Sequence, residues 1–190
     1  MAASRSILPH GRIGTLHQKT DPSAKVIFIG PCTATKAEAQ RDRVVEHVDA
    51  VLPFEELQAW IDSRALDLKS LEVGVLDNAS YFGRIFARSG GLSESVAQAL
   101  KEQQIDFIAN PIVCDGIEEC RVALLKKQKN LLKENFIEGM ACTGGCIGGA
   151  GCLTHGPKDK GEVDKYGHEA YEKNISDSLV QFQGNWSEKE

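Results

Sequence analysis

The chain has 190 residues, of which 42% are hydrophobic and 26% are charged, and its formal net charge at pH 7 is -5. This length fits one domain or two small lobes that share a core, and the negative charge disfavours nucleic acid or an anionic membrane as the main partner. No apolar run approaches the ~20 residues that span a bilayer, so we expect a soluble protein that is not attached to a membrane.

The first twenty residues contain Arg5, Arg12 and Lys19 but no acidic residue. This composition is typical of an organellar transit peptide, but we favour the simpler interpretation that the chain starts here. A secretory signal would need an apolar region of about 7–15 residues after the basic residues, and the sequence has none there. We therefore expect a cytoplasmic protein.

The first half of the chain alternates short strands with helices. Residues 25–30 (KVIFIG) predict a buried strand, helix formers follow from Ala34 to Arg43, and residues 48–52 are a second short apolar run. Proline and acidic residues then open a helix at Pro53. We expect Trp60 in the core because it recurs at helical spacing with its apolar neighbours.

The second half continues the alternation and ends in a helix. The predicted elements are a loop or broken element (80–91), a helix (92–103), an edge strand interrupted by Pro111 (107–113), an amphipathic helix (115–129), a strand (136–141), a closing helix (162–182) and a frayed tail (184–190). Strands that alternate with helices imply an α/β domain.

Six cysteines in a chain of ordinary apolar content, with no export signal, favour metal ligation over a disulfide framework. Cys32 and Cys142 each follow a predicted strand, and ligands in open α/β sheets gather beyond the carboxyl ends of strands. Glycines surround the second site, at Gly144, Gly145, Gly148 and Gly149. Without a Cβ they let the backbone approach an inorganic cluster and expose N–H groups to its sulfur atoms.

Other interpretations of the glycine run stay open. It is not a Walker loop, because no Gly-Lys-Ser/Thr follows it, and it is not a GxGxxG motif, because its glycines stand in a different order. Zinc sites commonly pair two closely spaced cysteine hairpins, whereas Cys32 stands alone, so a zinc site would need Cys152 or His155 as its fourth ligand. The remaining alternative is a flexible turn with incidental cysteines.

Two stretches resemble signatures of the [FeFe]-hydrogenase catalytic domain. "FIGPCTATKAEAQR", residues 28–41, is similar to the second signature, and "IEGMACTGGCIGGAG", residues 137–151, to the third. "SYFGRIFARSGGLSESV" between them resembles the family's Ser/Thr-Gly-Gly segment. The resemblance implies that residues 25–183 form a C-terminal part of that two-lobed α/β domain, preceded by a segment of it at residues 1–24.

The resemblance also implies a cofactor and residue roles. In the family, four cysteines hold a [4Fe-4S] cluster, and one of them bridges to a di-iron subsite bearing CO, cyanide and a dithiolate. Cys32 and Cys142 match cluster ligands, and Cys146 matches the bridging cysteine. Met140 matches a methionine beside the bridging CO, and Pro31 a proline whose backbone adjoins the di-iron ligands. The implied reaction is the reversible reduction of two protons by two electrons to H2, with an external electron carrier such as ferredoxin.

The chain also departs from the family pattern. The first signature, Thr-Ser-Cys-Cys-Pro, supplies one cluster ligand and a proton-transferring cysteine, and it does not occur in this sequence. The family lysine that anchors a cyanide falls at Thr35. Lys36 stands next to it as a candidate for cofactor binding, although in a helix it would point elsewhere. Gly30 replaces a methionine, and no ferredoxin-type cysteine run is present.

Three cysteines leave a four-thiolate site incomplete. The fourth ligand could come from Cys152, Cys114, Cys120, a histidine or a second chain. We expect Cys114 and Cys120 to be core thiols, and His155 and His168 to be surface residues. Glu138 has two alternative roles: it could take part in proton movement, or it could be a solvent-exposed partner of a lysine.

Three functional hypotheses follow. The chain is a cluster-binding part of an [FeFe]-hydrogenase catalytic domain that is inactive without another polypeptide supplying the missing motif. Alternatively, it is a non-catalytic iron–sulfur assembly or sensory module, or a zinc-stabilised α/β protein.

Overall fold

The computed structural model describes residues 21–41, 44–74 and 79–180. The strands are β1 (Ile27–Gly30), β2 (Ala50–Pro53), β3 (Pro111–Asp115) and β4 (Phe136–Met140). The helices are α1 (Ala34–Ala39), α2 (Phe54–Ser63), α3 (Tyr81–Ile85), α4 (Gly91–Glu102), α5 (Ile117–Gln128), α6 (Asp159–His168) and α7 (Ile175–Leu179). Two short 3-10 turns cover Leu68–Ser70 and Cys146–Gly148. Among the helices of the described residues, none is long and apolar enough to cross a membrane.

The strands form two parallel pairs, which confirms the predicted α/β class. β1 pairs with β2 from Ile27–Ala50 to Gly30–Pro53, and β3 pairs with β4 from Pro111–Phe136 to Asp115–Met140. Parallel neighbours need a crossover connection, and α1 and α5 lie within these two connections. Pro111 is the first residue of β3, a position where its missing N–H costs no ladder hydrogen bond.

The described residues divide into two compact units. The first holds residues up to Leu71 together with Ala150–Leu153, and the second holds Glu72–Gly149 and the residues from Thr154 onward. In the first unit the Gly151 N–H donates to the Pro31 carbonyl (3.0 Å), and its carbonyl accepts from the Glu55 N–H (3.3 Å). A Cβ on Gly151 would lie 2.7 Å from the Pro53 Cβ. Ala150–Leu153 thus lies at the carboxyl ends of β1 and β2, and only glycine fits at its centre.

In the second unit, α3 packs against α6 through a close helix contact. Ile85 is fully buried, and a Cβ on Gly167 would lie 2.7 Å from its Cγ2 atom. The Arg84 guanidinium donates to the Tyr166 carbonyl (3.2 Å) and lies over the Tyr166 ring. The predicted loop or broken element at 80–91 therefore contains a short helix, which Ser80 caps by accepting from the Gly83 N–H.

Two expectations about the helices are wrong. Trp60 is 56% exposed, because the half-buried face of α2 carries Phe54, Leu57 and Ile61, and Trp60 lies about 100° around the helix from Ile61. The closing helix is two helices, α6 and α7. The break comes after α6, where the Lys173 ammonium bonds the His168 and Ala170 carbonyls. Residues 1–20, 181–182 and the predicted tail lie outside the described residues.

A carboxylate from α4 caps the start of α7. The two oxygens of Glu102 accept from the N–H groups of Ile175 (2.9 Å) and Ser176 (2.8 Å). Partial burial raises the pKa of Glu102, but these N–H donors outweigh it and lower the pKa from 4.5 to about 2. The folded chain therefore binds this proton less tightly than the unfolded chain does.

We expect Glu102 to stabilise the fold fully above pH 4.5, and this contribution to fade as the pH falls from 4.5 towards about 2. Urea unfolding of the native chain and of Glu102→Gln across this range should show a stability difference that shrinks with acidity. The control is Glu162→Gln, which removes an exposed carboxylate. A difference for Glu102→Gln that stays constant with pH would contradict the assignment.

Candidate functional site

The candidate site centres on residues 142–149, which we call the cysteine loop. It follows β4 directly and begins with a tight turn, in which the Gly145 N–H donates to the Cys142 carbonyl (3.1 Å). Gly144 and Gly145 have φ values of +89° and +86°, which side-chain-bearing residues rarely adopt. Cys142 is half-buried and Cys146 is exposed. The turn thus sets the spacing of the two cysteines.

Two of the loop glycines, Gly145 and Gly148, are required by packing within the protein itself. A Cβ on Gly148 would lie 1.9 Å from the Thr143 carbonyl oxygen, and one on Gly145 would lie 2.6 Å from the Ser89 nitrogen. Real Cβ atoms do not approach backbone this closely, so both positions exclude alanine before any cofactor is considered. The expectation that Gly144, Gly145, Gly148 and Gly149 make room for a cofactor stays a prediction.

The loop rests on residues 87–91, which we call the supporting segment. The Ser89 N–H donates to the Gly144 carbonyl (3.1 Å), and the Ile147 N–H donates to the Ala87 carbonyl (3.3 Å). Arg88 and Gly145 form an isolated antiparallel bridge. These backbone contacts tie both cysteines to the start of α4.

Asp115, the last residue of β3, joins the loop to the supporting segment. Its Oδ1 accepts from the Gly144 N–H (2.6 Å) and from the Ser89 hydroxyl (2.6 Å). Asp115 is not among the residues predicted from the sequence. The signal that could have identified it is an acidic side chain at the carboxyl end of a strand, next to Gly116, which has φ +107°.

Glu138 on β4 is fully buried. Its carboxylate accepts from the N–H of Gly90 (2.8 Å), the N–H of Ser93 (2.7 Å) and the hydroxyl of Ser93 (2.5 Å). Acidic side chains stabilise the positive end of a helix dipole, and Glu138 does so at the first turn of α4. The interpretation as a solvated partner of a lysine is therefore wrong, because its partners are buried donors of the supporting segment and α4.

Arg88 anchors the supporting segment from the other side. Its side chain is 4% exposed and pairs with Asp164 through Nε (2.5 Å) and with Glu94 through Nη2 (3.0 Å). Burial opposes the charge, but these two carboxylates outweigh it and raise the pKa of Arg88. The guanidinium therefore stays charged and holds the supporting segment to α4 and α6.

Cys114 lies on β3 and Cys120 on α5, so neither belongs to the cysteine loop. Cys114 is buried, as expected of a core thiol, and burial raises its pKa. Cys120 is half-buried, and its thiol donates to the Met140 carbonyl (3.6 Å). A raised pKa disfavours the thiolate that binds metals, so Cys114 is poorly suited to be the fourth ligand.

Several other predicted residues belong to the first unit. Cys32 is half-buried, and the carbonyl of Pro31 before it accepts from Gly151. Cys152, which follows Gly151, is buried. Lys36 lies in α1, as expected, and its ammonium pairs with Glu56, while Thr35 is buried.

The donor set fits thiolate ligation of a cluster in part. Within residues 21–41, 44–74 and 79–180, no three His, Cys, Asp or Glu side chains are grouped so that they could hold one metal ion. A [4Fe-4S] cluster differs because its four thiolates bind separate irons. Cys142 and exposed Cys146 match that chemistry, but the sequence supplies three of the four matching thiols. The expectation that the loop glycines expose N–H groups to a cluster is wrong, because all four N–H groups donate within the protein: those of Gly145, Gly148 and Gly149 to loop carbonyls and that of Gly144 to Asp115.

Comparisons with known proteins identify the family to which the chain belongs. A family model described as the C-terminal domain of the iron-only hydrogenase large subunit matches residues 3–150. Iron hydrogenase 1 of Clostridium pasteurianum is 30% identical over 176 residues, covering 73% of this chain and 30% of that protein.

Solved structures share the fold. A variant of [FeFe]-hydrogenase HydA1 from Chlamydomonas reinhardtii aligns with a TM-score of 0.59 at 16% identity, covering 93% of this chain and 63% of that one. A HydA structure that describes stepwise H-cluster assembly gives 0.59 at 17% identity, covering 92% and 61%. The chain therefore spans less than a third of the curated relative and about three fifths of the solved chains.

Proposed function

Because the chain belongs to the iron-only hydrogenase family, by its match to the C-terminal domain of the large subunit, we propose that it is the iron–sulfur cluster-binding portion of an [FeFe]-hydrogenase-like protein. The observation that carries the proposal is the cysteine loop, in which Cys142 and Cys146 are presented on a backbone fixed by glycine turns and by Asp115. A flexible turn with incidental cysteines would not need these contacts.

The residue roles in this proposal follow the family motifs. Cys32 and Cys142 bind a [4Fe-4S] cluster, and Cys146 bridges it to a di-iron subsite. Met140, Pro31 and Lys36, with the loop glycines, line the subsite. When bound, the group supplies the reversible reduction of protons to H2. The chain's own part is to hold the thiols of Cys142 and Cys146 at a fixed spacing through the hydrogen bonds within the loop.

The activity of the whole protein needs more than this chain contains. The first family signature, with its cluster ligand and proton-transferring cysteine, does not occur in the sequence. We propose that a polypeptide carrying that signature completes the site, that a ferredoxin-like carrier supplies electrons, and that the protein works in the cytoplasm. The chain alone is then a cluster carrier without turnover.

Anaerobic reconstitution with iron and sulfide should give a brown protein with broad absorbance near ~400 nm, as expected for thiolate-bound iron–sulfur clusters. Cys32→Ala, Cys142→Ala and Cys146→Ala should each lower the bound iron and sulfide. Cys120→Ala, which removes a half-buried thiol outside the motifs, is the matched control and should load like the native chain. Reduced methyl viologen should give no steady H2 evolution with the loaded chain alone.

The outcomes separate the hypotheses. A colourless protein with stoichiometric zinc would contradict both iron-based functions. Steady H2 evolution by the chain alone would show that it is a complete catalyst. Loading without turnover, followed by turnover once a polypeptide with the first signature is added, supports the hydrogenase proposal over a non-catalytic assembly or sensory module.

A further inference from the structure

We propose that Asp115 is a positioning residue for the cluster-binding thiols: its carboxylate fixes the Gly144 amide and thereby the spacing of Cys142 and Cys146. The proposal rests on the proposed function, because it assigns Asp115 a role toward the cluster that these cysteines bind. No family motif in the sequence includes Asp115.

The first step is that Asp115 is itself held rigidly. It ends β3, where it pairs in register with Met140, the last residue of β4. The Asp115 N–H donates to the Glu119 carboxylate (2.8 Å), and the following Gly116 N–H donates to the Met140 carbonyl (2.9 Å). A carboxylate on such a fixed backbone can position a neighbouring loop more exactly than one on a flexible loop.

The second step is that Asp115 holds the middle of the turn. Gly144 lies inside the turn closed by the bond from the Gly145 N–H to the Cys142 carbonyl. Its own N–H points to Asp115 Oδ1 at 2.6 Å, and its carbonyl accepts from the Ser89 N–H. Both polar groups of Gly144 are therefore occupied by fixed partners, and the turn between the two cysteines cannot rotate without breaking them.

The third step is that the same oxygen connects two segments. Asp115 Oδ1 also accepts from the Ser89 hydroxyl at 2.6 Å, so the loop and the supporting segment are joined through one atom as well as through backbone bonds. Hydrogen-bond partners that orient metal ligands commonly change metal affinity by about 10–100-fold when they are removed, and Asp115 orients the backbone between Cys142 and Cys146.

The test compares Asp115→Ala with Asp115→Asn, which keeps an oxygen acceptor but loses the charge. After anaerobic reconstitution, we expect Asp115→Ala to retain its cluster about tenfold less well against a chelator. Asp115→Asn should load like the native chain, with a more positive midpoint potential because a negative charge is lost near the cluster. Ser89→Ala should have an intermediate effect, and the exposed Asp106→Ala is the matched control.

Amide hydrogen exchange of the metal-free proteins gives a second readout. Exchange of the loop amides should rise in Asp115→Ala and stay native-like in Asp115→Asn. If the native chain loads and Asp115→Ala retains its cluster equally well at the native potential, the inference is overturned while the proposed function stands. If the native chain does not load, the proposed function fails. The hydrogen exchange data then still test whether Asp115 fixes the loop. Loop amides that exchange in Asp115→Ala as in the native chain would overturn the inference.

Discussion

Gly148→Ala is expected to destroy the geometry of the cysteine loop. The added Cβ would lie 1.9 Å from the Thr143 carbonyl oxygen. The Cβ is bonded directly to the backbone and the oxygen is part of it, so neither atom can move away without a shift of the backbone. Overpacking of well-packed sites costs about 1–3 kcal/mol and sometimes more, and a contact this short places Gly148→Ala at or above the upper end. We expect a fall of about 3 kcal/mol in the free energy of unfolding, and loss of cluster loading.

Gly161→Ala is the matched control for this substitution. Gly161 lies in α6, and a Cβ there meets nothing within 4 Å. Alanine in a helix interior is favoured over glycine by about 0.5–1 kcal/mol, so the control should be slightly stabilised. Urea unfolding and iron content, measured on Gly148→Ala and Gly161→Ala, test the prediction. Native-like stability and loading in Gly148→Ala would mean that the loop has another conformation.

Glu138→Ala is expected to destabilise the second unit strongly. The substitution leaves three donors without their acceptor: the buried N–H and hydroxyl groups of Ser93 and the half-buried N–H group of Gly90. Each unsatisfied buried group costs about 1–3 kcal/mol, so the total loss should be about 3 kcal/mol or more. That is a large part of the ~5–15 kcal/mol that stabilises a typical domain.

Four further variants make the Glu138 prediction specific. Glu138→Gln keeps one oxygen acceptor and should lose less stability than Glu138→Ala. Exposed Glu162→Ala should be near neutral. Ser93→Ala removes one donor, so the double variant Glu138→Ala/Ser93→Ala should lose less than the sum of the two single losses. Additive losses in thermal or urea unfolding would show that the two side chains do not interact.

The local chain pattern was sufficient to predict the α/β class and most elements. The acidic first turn of α5 reports a local preference that the structure follows, and residues 27–30 of the run at 25–30 form a strand. The expectation that this strand is buried is wrong, because it belongs to a two-stranded sheet in which Ile27 and Ile29 are 54% and 46% exposed. The prediction failed where tertiary context decides: Trp60 is apolar but lies off the half-buried face of α2, and the 162–182 helix breaks where Lys173 bonds nearby carbonyls.

The cysteines of the site could be identified from sequence, but their supports could not. Cys142 and Cys146 stand in a motif with fixed spacing, which a linear sequence displays. Asp115 and Arg88 act through partners far along the chain, Gly144 and Asp164 respectively. The glycines illustrate a further limit, because a run of glycines shows that side chains are excluded but not what excludes them. At Gly148 it is the protein's own backbone.

The placement of Ala150–Leu153 in the first unit has a consequence for synthesis of the chain on the ribosome. Domains generally fold in the order in which they emerge, but here the early unit depends on a late segment. The hydrogen bonds that Gly151 makes with Pro31 and Glu55 cannot form until the cysteine loop has itself been translated. The first unit therefore lacks these contacts while most of the second unit is synthesised. It can complete its packing only after the cysteine loop has been translated.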